Sequence, residues 1–87
     1  MKKELNPKDY NLNSRVVLQQ IDNNSIAIVK KRKSRIIMKD GRQILEQANE
    51  ILKKNPKLNI VLLVSGPVCS KTTKFLAEND IAILADS

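Results

Sequence analysis

The apolar positions of this chain fall into blocks of different period, and each period predicts a different element. Arg15 to Ile21 (RVVLQQI) and Ile26 to Val29 are short, largely β-branched runs on either side of Asp22-Asn23-Asn24-Ser25, a cluster of turn-forming residues. They predict a β-hairpin. Its second strand is apolar nearly throughout, so both of its faces are expected to be at least partly covered. From Asp40 to about Lys54 the period changes: Ile44, Leu45, Ala48, Ile51 and Leu52 recur at helical spacing, with Arg42, Gln43, Glu46, Gln47, Asn49, Glu50 and Lys53 on the other side. Asp40 with Gln43 three residues later reads as a capping box that starts this helix, and Asn55-Pro56 ends it.

The most apolar stretch follows. Ile60 to Val64 are consecutive apolar residues stopped by Ser65-Gly66-Pro67, the pattern of a central strand covered on both faces in a parallel sheet. Ser70 is placed to cap a second helix, with Phe75, Leu76 and Ala77 on one side, and Ile81 to Leu84 closes the series as a last short strand. Arg35 to Met38 fits either a third strand or the lead-in to the first helix, and four residues do not separate the two. The predicted fold is α/β, a small mixed sheet in ββ(β)αβαβ order with two helices, the last two strands parallel through a right-handed crossover. Residues 1–14 are polar and aperiodic and are expected to form a flexible or irregular N-terminal arm; residues 15–87 form a single α/β domain.

Charge adds a functional dimension to this scaffold. The 87 residues carry 16 Lys plus Arg against 9 Asp plus Glu, a net charge of +7, which suits an acidic partner. The charge is not evenly spread. Lys30, Lys31, Arg32, Lys33 and Arg35 place five cations in six positions directly after the hairpin, the pattern of a phosphate-contacting patch or of a solvated, self-repelling connection. With one Tyr, one Phe and no Trp, stacking platforms for single-stranded bases are largely lacking. No apolar run approaches the roughly 20 residues of a membrane span, and the start Met1-Lys2-Lys3-Glu4-Leu5 lacks a signal-peptide core, so a cytoplasmic protein is expected.

Candidate chemistry is sparse. There is no histidine and one cysteine, Cys69, so an internal disulfide, a Cys-rich zinc site and a His-based triad are excluded, and no cofactor, metal site or catalytic residue is predicted. Cys69, next to a helix start but without a histidine base, reads as a structural thiol. Ser65-Gly66-Pro67-Val68-Cys69-Ser70-Lys71-Thr72-Thr73 resembles the phosphate loop of P-loop NTPases, with Lys71 and Thr72 in the places of the phosphate-binding lysine and the metal-binding hydroxyl. Ser70 and Ser65 stand where that loop requires glycines. A structural turn into a capped helix is the reading preferred here.

The layout as a whole resembles another family. A hairpin whose second strand ends in Val29-Lys30-Lys31-Arg32, an amphipathic helix, a buried strand ending in Val64-Ser65-Gly66, a helix bearing Phe75-Leu76-Ala77-Glu78-Asn79-Asp80 and a strand Ile81-Ala82-Ile83-Leu84 are similar to the core of Mrr-type restriction-endonuclease-like domains of the PD-(D/E)XK superfamily, over residues 15–84. The resemblance implies a magnesium-dependent phosphodiesterase site built from a hairpin Asp and an acid or Gln two residues before a Lys. Here those preceding positions are Ile28 and Val29, which bind no cation, and Asp22 is the one hairpin acid. Lys30 alone carries over cleanly. The sequence therefore points to a non-catalytic DNA- or RNA-binding module on a nuclease-like scaffold, contacting phosphates through Lys30, Lys31, Arg32, Lys33 and Arg35. The alternatives are a divergent metal-dependent nuclease and an interaction domain, with Ile26 to Val29, or Arg35 to Met38 beside it, as an edge strand open to a second copy or another chain.

Overall fold

A computed structural model describes residues 3–31 and 34–85, with the elements in the order β1 (Lys3–Leu5), a 3-10 turn (Pro7–Tyr10), β2 (Val17–Asp22), β3 (Ser25–Lys30), α1 (Met38–Lys54), β4 (Asn59–Val64), α2 (Ser70–Glu78) and β5 (Ala82–Ala85). The strands form one sheet in the order β1-β2-β3-β4-β5. The first three run antiparallel to one another, and β3, β4 and β5 run parallel. This is the small mixed α/β sheet with two helices that the hydrophobic periods predict.

Local chemistry sets the hairpin. Asp22 Oδ1 accepts the Asn24 N–H at 2.8 Å, closing an Asx turn that brings Val17 opposite Val29 and Leu18 opposite Ile28. The register slips between Gln20 and Asp22, so the strand bulges at Ile21. From β3 the chain crosses over through α1 to β4, then through α2 to β5, stepping the same way across the sheet each time. Right-handed crossovers of that kind place both helices on one face. The core confirms the arrangement: Leu18, Ile26, Ile28, Ile60, Leu62 and Val64 of the sheet pack with Ile44, Ala48 and Ile51 of α1 and Leu76 of α2. The alternate strand residues Ala27, Val29 and Leu63 make a smaller cluster with half-buried Ile21 and Val61, without any helical member. These residues are shielded by the side chains beside them in the sheet.

Several expectations change once the strands are placed. β4 is interior, yet the middle strand is β3, because the stretch read as an arm supplies a further strand: β1 pairs with β2, and Tyr10 and Leu12 beyond it pack on the core. For the same reason Ile26 to Val29 offers no edge to a second chain, since β3 is paired on both sides; the sheet edges are β1 and β5. Arg35 to Met38 is neither strand nor plain lead-in, because Ile36 alone makes a bridge and Met38 is already helical. Asp40 does not cap α1 but sits in its first turn, where Oδ2 accepts the Ile37 N–H at 3.0 Å, leaving apolar Ile37 as the N-cap without any side-chain acceptor. Cys69, rather than Ser70, is the N-cap of α2.

The helix faces also differ in detail. Gln47, read as polar-face, is buried in the stripe of Gly41, Ile44, Ala48 and Ile51, and Thr72 is fully buried while Ala77 is exposed. Thr72 is drawn inward by Gly41: a Cβ built on Gly41 would lie 2.8 Å from Thr72 Cγ2, so the missing side chain is what lets α1 and α2 approach near their N-termini. No helix among the described residues is long and apolar enough to cross a membrane.

Candidate nucleic-acid interface

Three parallel strands end on the same side of the sheet, and the chain must turn there before each helix. β3 ends at Lys30 and β4 at Val64, so the loops 31–37 and 65–69 leave adjacent strand ends and feed the N-termini of α1 and α2. In open α/β sheets the crevice beyond the carboxyl ends of the strands is where ligands gather, because helix N-termini and unpaired amides point into it.

The two loops are tied together. Ile36 N–H donates to the Pro67 carbonyl at 2.9 Å and Cys69 N–H donates to the Ile36 carbonyl at 2.8 Å, a single parallel bridge step between Ile36 and Val68. Ile36 is 1% exposed and anchors this link in the core. The consequence is that Lys30, Lys31 and Arg35 and the Ser-Gly-Pro turn, about thirty residues apart in sequence, share one rim. Ser65 N–H reaches the Lys30 carbonyl at 3.3 Å and extends the link to the end of β3.

Of the five predicted cations, Lys30 is half-buried at the end of β3, and Lys31 and Arg35 are exposed in the following loop. Arg32 and Lys33 lie outside the described residues. The fold adds two cations that the sequence reading left out of the cluster: Lys39 in the first turn of α1 and Lys71 in the first turn of α2, both exposed. Only the shared strand-end geometry relates them to Lys30, which is why a linear charge count misses them. Among the described residues, Lys31, Arg35, Lys39 and Lys71 take part in no ion pair; the described pair, Lys53 with Glu50 at 3.0 Å, is in the last turns of α1. The positive ends of two helix dipoles add to the rim's field.

Cys69 stands in the middle of this rim, half-buried and unpaired with any other cysteine. As the N-cap of α2 it precedes the first-turn amides of Lys71 and Thr72, and its side chain makes no cap hydrogen bond. Those two amides hold the thiol below its ordinary pKa; burial opposes them less strongly, and the Thr72 hydroxyl and the Arg35 guanidinium add smaller lowering effects.

The acids are arranged differently. Asp22 pairs with Ser25 at the start of β3, whereas Lys30 ends that strand, roughly 16 Å away at the rise of a β-strand. Asp22 and Lys30 therefore do not converge on one atom. Among the described residues no three His, Cys, Asp or Glu side chains gather to hold a metal ion. A groove of about 500 Å³ does open elsewhere, between Asn11 to Val16 and the outer flank of α1, but Glu46 and Glu50 line it. Carboxylates there repel phosphate, so the groove does not extend the rim. No protein family, curated protein or solved structure matches the chain.

Proposed function

We propose that this protein binds nucleic acid without cleaving it, through phosphate contacts made by Lys30, Lys31, Arg32, Lys33 and Arg35, with Lys39 and Lys71 widening the same surface. The observation that supports this reading is the tie at Ile36, which joins the segment just after Arg35 to the turn before α2, next to the N-termini of both helices. Lys31, Arg35, Lys39 and Lys71, which take part in no ion pair among the described residues, share one rim with the positive ends of two helix dipoles, the electrostatic footprint of a phosphate-binding surface. Binding of this kind positions a backbone and reads few bases. The restriction-endonuclease-like scaffold belongs to the same proposal, with Lys30 at the end of β3 as the residue retained and the acids that would hold magnesium replaced by Ile28 and Val29. The cytoplasm is the compartment that goes with this reading.

Fluorescence anisotropy with labelled duplex DNA, single-stranded DNA and RNA at low salt tests it. The native chain binds at least one of the three, and a variant with all five cluster cations changed to Gln loses most of that affinity. Equal affinity in both proteins, or no binding to any probe, removes the proposal. Magnesium-dependent cleavage of the same probes, lost in Asp22→Ala, would replace it with the nuclease reading.

A further inference from the structure

The groove on the flank of α1 holds acceptors that the described chain leaves unsatisfied. It has a volume of about 500 Å³ and lies between residues 43–53 of the helix and residues 11–16. Gln47 lines it while only 8% exposed, and its Oε1 is enclosed without a hydrogen-bond partner. Native structures seldom leave a buried amide oxygen unpaired, because nothing then offsets its lost hydration. The last torsion of a Gln side chain is broad, so the amide can turn its oxygen toward a donor that enters the groove. Glu46 and Glu50 line the same groove one helical turn apart, about 6 Å along the axis, and like charges at that spacing repel. Lys53 Nζ answers Glu50 at 3.0 Å, whereas Glu46 takes part in no ion pair among the described residues. The other wall differs in kind: Leu12 and Val16 are half-buried and pack on the core.

An orphan acceptor, an uncompensated carboxylate and an apolar wall define a ligand that donates hydrogen bonds, carries positive charge and has a hydrocarbon stem. An alkylammonium ion has all three properties: it offers three donors and no acceptor, and its methylenes lie well against apolar side chains. Lys53 already seats one such group on Glu50. We propose that this groove binds a small aliphatic polyamine. One ammonium group donates to Glu46 and to the turned Gln47 oxygen, a second competes with Lys53 for Glu50, and the methylenes between them run along Leu12 and Val16. A bare divalent ion fits less well, since it needs several oxygens at once and no three His, Cys, Asp or Glu among the described residues gather to hold one. The chain carries a net charge of +7, so the attraction is confined to these two carboxylates and falls with added salt. The site is independent of the nucleic-acid reading, and neither requires the other.

Titration of the full chain with spermidine at low salt and pH 7, without nucleic acid, tests the proposal by amide chemical shifts. Saturable shifts are expected in residues 11–16 and 43–50. Glu46→Gln is expected to weaken binding about tenfold, the loss of one charge-assisted hydrogen bond. Gln47→Met keeps the length of the side chain but removes the amide, so affinity falls while the free protein, relieved of an orphan oxygen, unfolds at higher urea than the native chain. Glu46→Gln changes an exposed residue and decides the matter if Gln47→Met does not fold. Lys53→Gln removes the competing ammonium and is expected to strengthen binding, the opposite direction. Butylamine, with a single ammonium group, binds more weakly than spermidine. The proposal is overturned if spermidine moves no groove resonance, if magnesium chloride at equal ionic strength produces the same shifts, or if affinity is untouched by Glu46→Gln and Gln47→Met. Because no nucleic acid is present, failure here leaves the rim reading standing, and loss of nucleic-acid binding leaves this one standing.

Discussion

Gly41 is the residue whose replacement most directly tests how the rim is held, because it sits where α1 and α2 meet just behind their N-termini. On propensity alone Gly41→Ala stabilises a helix by about 1 kcal/mol. The structure opposes that gain. A Cβ at position 41 lies 2.8 Å from Thr72 Cγ2, with Phe75 Cδ2 at 3.6 Å behind it, against the roughly 3.5 to 4.0 Å of a relaxed carbon contact. Thr72 is fully buried and β-branched, so it cannot swing aside as a long surface side chain does. Over-packing of this kind costs about 1 to 3 kcal/mol, and the net effect expected is a loss of about 1 kcal/mol. In a domain of this size that lowers the melting temperature by about 4 to 8 °C. Thr72→Ser removes the opposing methyl, so in that background Gly41→Ala becomes stabilising, and the two changes couple by about 2 kcal/mol. Urea unfolding followed by circular dichroism on the four proteins of the cycle measures both quantities. If Gly41→Ala stabilises the native chain and the coupling is near zero, the helices do not cross at this distance and the rim geometry argued above is incorrect.

Two further substitutions follow from the caps. Ile37 is the N-cap of α1, 49% exposed and unable to accept a hydrogen bond, so Ile37→Ser should stabilise the chain by about 1 kcal/mol in the same denaturation assay. Cys69→Ser gives α2 an oxygen acceptor and should also stabilise, but by an amount that depends on pH. The folded thiol has a lowered pKa, so its stabilising contribution is fully present above the unfolded thiol's pKa and is lost as pH falls through the lowered folded value. The advantage of Ser over Cys is therefore largest at pH 6 and shrinks as the buffer is raised towards pH 9; an advantage that stays constant over that range argues that Sγ does not face the α2 amides.

The parts of this fold that were legible in the sequence are those set by local pattern. The Asp22 to Ser25 turn and the five apolar positions of α1 specify a hairpin and a helix without reference to anything distant. What escaped the pattern depends on tertiary partners. Gln47 read as a surface residue because it is polar, and it and Thr72 are buried because α1 meets the segment before β2 on one side and α2 on the other. The N-terminal stretch looked aperiodic because three residues of β1 are too few to show a period, yet they find a partner in β2. The cap of α1 was misplaced by three residues because Asp40 resembles an N-cap from either position; only the Ile36 bridge, which holds Ile37 extended, decides between them. The candidate site shows the same division. Lys30 to Arg35 stands out as a run, whereas Lys39, Lys71 and Cys69 join it only through the parallel order of β3, β4 and β5.

The salt dependence of nucleic-acid affinity tests the central claim most directly, because it counts phosphate contacts without requiring that the preferred sequence be known. If the five cluster cations each neutralise one phosphate, a plot of log K against log salt has a slope of about −4.5 on duplex DNA and about −3.5 on a single strand. Replacing Arg35 or Lys31 singly by Gln should make the slope shallower by about one and weaken binding to all sequences alike. Replacing Lys57, exposed beyond the far end of α1, should leave the slope as it was. A native chain whose affinity is undetectable at low salt, or whose slope responds to Lys57 as strongly as to Arg35, contradicts a phosphate-binding rim at this end of the sheet.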